Sequence, residues 1–235
     1  MKKLLWLLLA YSANALPTSR QDVDNAITSN NSSAKEIFNL IYQTNYWYCG
    51  ESVSGEGSTM YSTETIRQIL PYIIEKLSIK TMLDAPCGDY HWMKTVNLSI
   101  EQYIGVDIVP ELIENNKKQY GTENKIFECC DLIEDSLPQV DLILCRDCLA
   151  HLSFFDAQKV INNFKKSGSK YLLATTNPAT RHNKDIRTGQ TWAYNLRLKP
   201  FLFPKPLLII EENSAEPASK EFRKSLGLWV IEELP

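Results

Sequence analysis

A chain of 235 residues, 44% hydrophobic and 23% charged, is long enough to bury one sizeable core and has the ordinary composition of a globular protein. The net charge of −3 comes without a long basic run, so a polyanion finds no electrostatic footprint and nucleic acid is not expected as a partner. Lys117-Lys118 and Lys165-Lys166 fall on expected helix faces and read as solvated surface.

The N-terminus departs from that pattern. Met1-Lys2-Lys3 is a basic start, Leu4 to Ala10 is apolar, and Ala13-Asn14-Ala15 has the A-x-A form of a signal-peptidase site. The apolar run is too short to span a bilayer. Residues 1–15 therefore read as a secretory signal, with export expected and no stable membrane association after processing. The alternative is a cytoplasmic chain with a short amphipathic start. Residues 16–33, rich in Ser, Thr and Asn without an apolar period, are predicted to be a disordered linker. A chain of this size does not need disulfide staples, and the adjacent Cys129 and Cys130 of a predicted strand point to opposite faces. All six cysteines read as free thiols or small core residues, which suits a reducing site of action better than a secreted one.

A helix is predicted from Ala34 to about Gln43, with Ile37, Leu40 and Ile41 on one face. The loop at 46–58 mixes aromatics with three glycines and three serines. Thr63 to Leu77 reads as a second helix, with Pro71 inside it. Residues 34–78 thus form a helical cap and a lid loop. From Ile79 strands alternate with helices: strands at 80–84, 102–107, 125–130, 139–145 and 169–175, helices near 90–96, 110–120 and 156–167. Near-continuous apolar strands such as Val140 to Cys145 indicate a parallel sheet covered on both faces, a doubly wound, Rossmann-like α/β domain over 79–235. A long polar segment at 177–205 precedes two strand-like runs, Leu207 to Ile210 and Leu226 to Ile231, which can pair as a hairpin-like edge.

The chemistry concentrates at strand ends. Ligands of doubly wound sheets lie beyond the carboxyl ends of the strands, and four such ends carry acids or polar groups: Asp84-Ala85-Pro86-Cys87-Gly88-Asp89, Asp107, Asp131, and Cys145 to His151. The first turn lacks the three glycines of a dinucleotide fingerprint, and its two carboxylates would repel a pyrophosphate. They suit an adenosyl ligand with a cationic amino-acid tail. Gly88 lets the backbone approach the ligand. Asp84 and Asp89 stand where an ammonium would lie, Asp107 can accept from both ribose hydroxyls, and Asp131 from an adenine amine. Ile108 and Leu132 can flank the ring.

These residues resemble a class I S-adenosylmethionine-dependent methyltransferase, of the group whose first motif is D-A-P-C-G-D. The resemblance runs through Gly105-Val106-Asp107, Cys130-Asp131-Leu132 and Asp141 to Leu152, and reaches Asn45-Tyr46-Trp47, Glu51 to Ser58, Asn183 to Ile186 and Ser225 to Trp229. It covers residues 36–235. It implies a seven-stranded sheet whose last strand is antiparallel, S-adenosylmethionine as cofactor, Asp107 at the ribose and Asp131 near adenine. Pro86 belongs to the same turn. The glycine-rich loop of the family is here reduced to Gly88.

Asp147 and His151, after the fourth strand, are the catalytic candidates: His151 as general base, Asp147 as base or as orienter of the acceptor. Arg146 can hold an anion at the cofactor site or on the acceptor. Trp47 and the loop at 50–58 can close over the cofactor, since glycines permit lid motion. Asp185, Arg187, Trp192 and Asn195 lie in the long loop and are the candidates for binding a small or saccharide-like acceptor. Cys145-x-x-Cys148-x-x-His151 has metal-like spacing but no further ligand nearby in sequence, and no metal is expected. Asn177-Pro178 resembles the start of the N-P-P-aromatic motif of base-modifying methyltransferases but lacks its second proline and aromatic, which again argues against nucleic acid. Asn30, Asn31 and Asn97 fit glycosylation sequons. Two other readings share this fold, an NAD-dependent oxidoreductase and a non-catalytic cofactor-binding interaction protein. The first conflicts with the missing G-x-G-x-x-G, and the oligomeric state is left open.

Overall fold

The structure, a computed structural model, describes residues 19–29, 31–214 and 220–235. The expected signal at 1–15 and the sequon at Asn30 lie outside the described residues.

The expected linker is corrected first. Residues 20–28 form a helix, α1 (Arg20–Thr28), started by a reciprocal capping box between Ser19 and Asp22. A second box, Ser33 with Glu36, starts α2 (Ala34–Gln43). The two helices bury Val23, Ala26 and Ile27 against Ile37 and Ile41 as a small separate core. The polar composition concealed α1 because three apolar residues, at i, i+3 and i+4, suffice to dock so short a helix. α3 (Glu64–Leu77) carries Pro71 and stops at Ser78, which takes the left-handed conformation.

The α/β unit follows as β1 (Thr81–Asp84), β2 (Gln102–Asp107), α4 (Pro110–Tyr120), β3 (Lys125–Cys129), β4 (Leu142–Cys145), α5 (Phe154–Lys166), β5 (Tyr171–Thr176), β6 (Leu208–Glu211) and β7 (Ser225–Val230). The expected helix at 90–96 is only a 3-10 turn, Met93–Thr95. Pro110 opens α4 at its first turn, where a missing N–H is harmless. The strand expected from 139 begins at 142, because the Asp141 carboxylate instead accepts from Lys80 N, Thr81 N and Thr81 Oγ1, fixing the start of β1.

The seven strands order as β3-β2-β1-β4-β5-β7-β6, with β7 antiparallel to both neighbours. The last two strands do pair, and β7 inserts between β5 and the edge strand β6. Side chains alternate between two cores. Leu83, Ile143, Leu172 and Trp229 face α5, with Val160 and Phe164. Met82, Leu142, Leu144, Leu173 and Leu228 face α3 and α4, with Leu70 and Ile113. Both faces are covered, which is why the central strands read as unbroken apolar runs. The topology reverses between β1 and β4, where strand order runs leftward to β2 and rightward to β5, so the loops after these strands converge on one crevice.

Candidate active site

Parallel register sets the carboxyl ends side by side: Asp84 opposite Gly105 and Leu144, Asp107 opposite Cys129, Cys145 opposite Ala174. The loops beyond them line a cleft of about 1060 Å³, solvent mouth included. Of the predicted residues, Trp47, Asp84, Pro86, Gly88, Asp107, Ile108, Asp131, Leu132, Arg146, Asp147 and His151 lie on its wall. The helical cap closes the opposite side with Phe38, Ile41 and Tyr42 of α2, which sequence reasoning did not place there.

Besides Asp147, three carboxylates line the cleft. Asp84 is buried and accepts a 2.6 Å hydrogen bond from the Tyr103 hydroxyl. Burial outweighs that bond and the nearby Arg146 guanidinium, and raises Asp84 to about 7. Asp107 accepts from Gly88 N at 3.2 Å and from Val109 N at 3.1 Å. Burial again dominates and raises it to about 6. Asp131, at the cleft's other end, accepts from Ile133 N at 2.9 Å, and burial raises it too. Buried acids held up in this way favour a ligand that brings positive charge or hydroxyl donors.

Asp89 is a correction. It does not line the cleft. Its carboxylate accepts from Ser52 Oγ (2.8 Å), Val53 N (3.1 Å) and Ser54 Oγ (3.2 Å), and its own N–H donates to Ser54 Oγ (3.0 Å). Asp89 thus fastens the loop at 50–58 to the turn after β1. Gly88 belongs to the same contact: it has φ +54°, and a Cβ there would lie 2.3 Å from Ser54 Oγ. The missing side chain makes room for the loop rather than for a ligand alone.

A second cleft, of about 1250 Å³, adjoins the first and shares Trp47, Ser54, Asp147 and His151 with it. Trp192, Phe222, Thr175, Asn177, Thr191, Glu56 and Lys224 are also on its wall. Its floor is an ion network. Arg146 donates through Nε to Glu212 Oε1 (3.0 Å) and through a terminal nitrogen to Gly57 O (2.6 Å), and lies 3.2 Å from Asp147 Oδ2. Lys224 Nζ donates to the same Asp147 oxygen, and Thr175 Oγ1 donates to Asp147 Oδ1 at 3.3 Å. Burial alone would raise Asp147, yet Lys224 and Arg146 together hold it well below the usual carboxylate range. A carboxylate so stabilised is a weak base; it can orient a partner but takes up a proton poorly. Gly57 packs against this pair, since a Cβ there would come 2.5 Å from Asp147 Oδ2.

His151 ends a 3-10 turn, Leu149–His151, and its ring lies 5.3 Å from that of Trp47. Its Nδ1 is 3.2 Å from Gln190 O and 3.0 Å from Thr191 Oγ1. Nδ1 donates to the Gln190 carbonyl in the tautomer that leaves Nε2 basic, whereas the Thr191 hydroxyl can accept from Nδ1 or donate to it.

Two acceptor candidates are also corrected. Asp185 lines neither cleft; its carboxylate accepts from Phe154 N (2.8 Å) and Ile186 N (2.9 Å) at the start of α5. Asn195 is buried and donates to Pro178 O and Thr180 O, bracing the long loop on itself. Arg187 reaches the Thr28 carbonyl at the end of α1. Trp192 alone of the four stands on the second cleft, with its indole Nε1 buried and lacking a hydrogen-bond partner. Lys224, Glu212 and Thr175 were missed because strand topology, not sequence spacing, brings them to Arg146 and Asp147. All six cysteines are free thiols. Among the described residues, no three His, Cys, Asp or Glu side chains are grouped to hold a metal, and no helix is long and apolar enough to cross a membrane.

Comparison with known proteins agrees with this geometry. Residues 83–168 match a family model described as a methyltransferase domain. No curated protein matches the chain. Among solved structures, the chain is similar to the N-methyltransferase NodS from Bradyrhizobium japonicum WM9 in complex with S-adenosyl-L-homocysteine, at 11% identity and a TM-score of 0.57, over 91% of this chain and 98% of that one. It is similar also to the methyltransferase domain of bacterial CtHen1-CN, at 12% identity and a TM-score of 0.53, over 72% of this chain and 99% of that one. The chain therefore has the Rossmann-like fold of class I methyltransferases, and residues 83–168 match the methyltransferase-domain model within it.

Proposed function

We propose that this methyltransferase domain moves a methyl group from S-adenosylmethionine in the first cleft to a small or saccharide-like acceptor in the second. The observation that carries the reading is the shared wall of Trp47, Ser54, Asp147 and His151 between the two clefts. The donor set fits the cofactor. Asp84 would take its ammonium, Asp107 its ribose hydroxyls and Asp131 its adenine amine, with Ile108 and Leu132 against the ring and Pro86 and Gly88 shaping the turn beside them. Bound there, S-adenosylmethionine supplies an electrophilic methyl group on a sulfonium.

The chain's own groups then position the acceptor and manage its proton. His151 is the base, acting through Nε2 in the tautomer that donates from Nδ1 to the Gln190 carbonyl. Asp147, kept ionised by Lys224 and Arg146, orients an acceptor donor group instead of removing its proton. The aromatic faces of Trp47, Trp192 and Phe222, among the polar groups of Thr175, Asn177 and Thr191, suit a molecule with both flat apolar faces and hydroxyls. Export through residues 1–15 is part of the same proposal; N-terminal sequencing of the mature protein would show the chain beginning near residue 16, and an intact Met1 or Lys2 terminus rules cleavage out.

Profiling of small-molecule extracts with methyl-labelled S-adenosylmethionine identifies the acceptor, and no labelled product from any extract counts against turnover. Asp107→Ala tests the site: the variant is expected to stay folded, with a midpoint lowered by loss of the Gly88 N and Val109 N hydrogen bonds, and to lose the thermal shift that S-adenosylhomocysteine gives the parent. A variant that still shifts like the parent removes the ribose assignment.

A further inference from the structure

α1 puts no residue on the wall of either cleft, yet it touches the segments on both sides of His151. On one side the Tyr46 hydroxyl donates to Asp24 Oδ1 of α1 at 2.7 Å. The Arg20 guanidinium lies 4.5 Å from the ring centre of Tyr46 and 4.0 Å from that of Tyr48. Trp47, between these two tyrosines in the chain, packs on the small α1–α2 core and sets its ring 5.3 Å from that of His151. On the other side Arg187 donates to the Thr28 carbonyl at the end of α1. Gly189 is seated on the same core. It is buried at φ +97°, and a Cβ there would lie 2.6 Å from Ile37 Cγ2 and 2.8 Å from Ile27 Cγ1. No L side chain fits that seat, and few take that backbone conformation.

From Gly189 the contact passes directly to His151. Gly189 N donates to His151 O at 2.8 Å and Trp192 N to Ala150 O at 2.9 Å, so residues 189–192 run alongside 150–151. Between these two bonds Gln190 O and Thr191 Oγ1 stand 3.2 Å and 3.0 Å from His151 Nδ1. Arg187 N donates to Gln190 Oε1, and Gln190 N donates to Arg187 O, which closes a turn around Gly189. The seat on Ile27 and Ile37 therefore sets where the partners of Nδ1 stand. A carbonyl accepts only from a protonated Nδ1, so its place biases the neutral ring toward the tautomer with a basic Nε2. A reacting side chain keeps its geometry only if the groups around it are locked by packing of their own.

We propose that Gly189 is a positioning residue for His151 and α1 a positioning element. Ile27 of α1 and Ile37 of α2 form the seat from which Gly189 holds Gln190 and Thr191 against the imidazole. The functional weight of this device rests on the reading of His151 as the base.

Ring-nitrogen resonances of the full chain test it without cofactor or acceptor, so the outcome stands apart from that of His151→Ala, which tests the base role. The chain has three histidines, so each ring can be assigned. At a pH where the rings are neutral, the two nitrogens of His151 in the parent are expected to be well separated, as one dominant tautomer requires. Gly189→Ala is expected to draw them together and to leave His91 and His182 unchanged. Ile27→Ala lowers the seat without straining the loop, and serves if Gly189→Ala does not fold. It is expected to move the same two resonances, while Ile27→Val, which keeps Cγ1, leaves them as in the parent. Variants that lose stability yet keep the parent's His151 resonances overturn the proposal and leave the seat a purely structural role. A parent whose two nitrogens already coincide overturns it, and so do changes spread equally over all three rings.

Discussion

Gly88→Ala isolates the contact between the turn after β1 and the loop at 50–58. At φ +54° an L side chain costs about 1–2 kcal/mol. The new Cβ would also lie 2.3 Å from Ser54 Oγ, so Ser54 must turn away. Turning breaks its hydrogen bonds with the Asp89 carboxylate (3.2 Å) and the Asp89 N–H (3.0 Å), together about 2 kcal/mol. The expected cost is about 3–4 kcal/mol, or a fall in Tm of roughly 10 °C for a chain of this size. Ser54→Ala alone forfeits the same two bonds, about 2 kcal/mol. In the double variant the 2.3 Å contact is gone, leaving a 3.1 Å approach to the Cβ of residue 54 that a shift of a few tenths of an ångström relieves, and the bonds are already lost, so Gly88→Ala adds little beyond its backbone strain. Urea unfolding of the four proteins is expected to give a coupling of about 2 kcal/mol. Additivity within about 0.5 kcal/mol would refute the claim that Gly88 serves the loop.

Three further outcomes are expected. Asp84 and Asp107 sit at about 7 and about 6 in the ligand-free protein, above their ordinary value, so they hold protons that the unfolded chain has lost; stability therefore falls as pH rises from about 4 through about 7. A ligand ammonium prefers ionised Asp84, so calorimetry should show S-adenosylhomocysteine binding about tenfold tighter at pH 8 than at pH 6, and Asp84→Asn should flatten that profile; a parent with a flat profile contradicts the ammonium assignment. His151→Ala is expected to lower turnover about 10²–10⁴-fold with S-adenosylhomocysteine affinity unchanged, measured once an acceptor is known, and full activity would remove the general-base role. Lys224→Met leaves the partly exposed Asp147 and the buried Glu212 with Arg146 as their shared counter-ion, and should cost about 3 kcal/mol in urea unfolding at pH 7, the lower end for a broken buried pair because the Asp147 side chain is 26% exposed; a loss below about 0.5 kcal/mol means the pair contributes little.

The sheet was legible because its central strands are apolar on both faces, and their ends carry acids at fixed spacing. Asp84, Asp107 and Asp131 could be placed on one cleft from the strand assignments alone. Asp89, Asp185 and Asn195 could not be told from ligand-binding residues. A loop carboxylate or amide looks the same in sequence whether it meets a ligand or satisfies backbone N–H groups, as Asp185 does at the start of α5. Lys224 and Glu212 carried no signal at all, since they meet Arg146 and Asp147 only after β6 and β7 fold back against β5. α1 was hidden for a different reason: its stability comes from two end caps and three docked side chains, too few to lift a polar window.

The same contacts bear on how the two clefts work together. Glycines at 50, 55 and 57 suggested a loop free to move as a lid. The structure ties that loop at both ends of its span: Ser52 Oγ, Val53 N and Ser54 Oγ to Asp89 on the cofactor side, and Gly57 O to Arg146 on the acceptor side. At about 1 kcal/mol for each of these bonds, lifting the loop costs about 4 kcal/mol, which leaves it open in about one molecule in a thousand. Gly57 also cannot gain a side chain without meeting Asp147, so its small size serves close packing rather than mobility. The loop is then a fixed partition that presents Trp47 and Ser54 to both clefts. If the second cleft takes the acceptor, as proposed, acceptor choice follows from the shape of that wall, and a ligand reaches the first cleft through its solvent mouth unless this latch is broken.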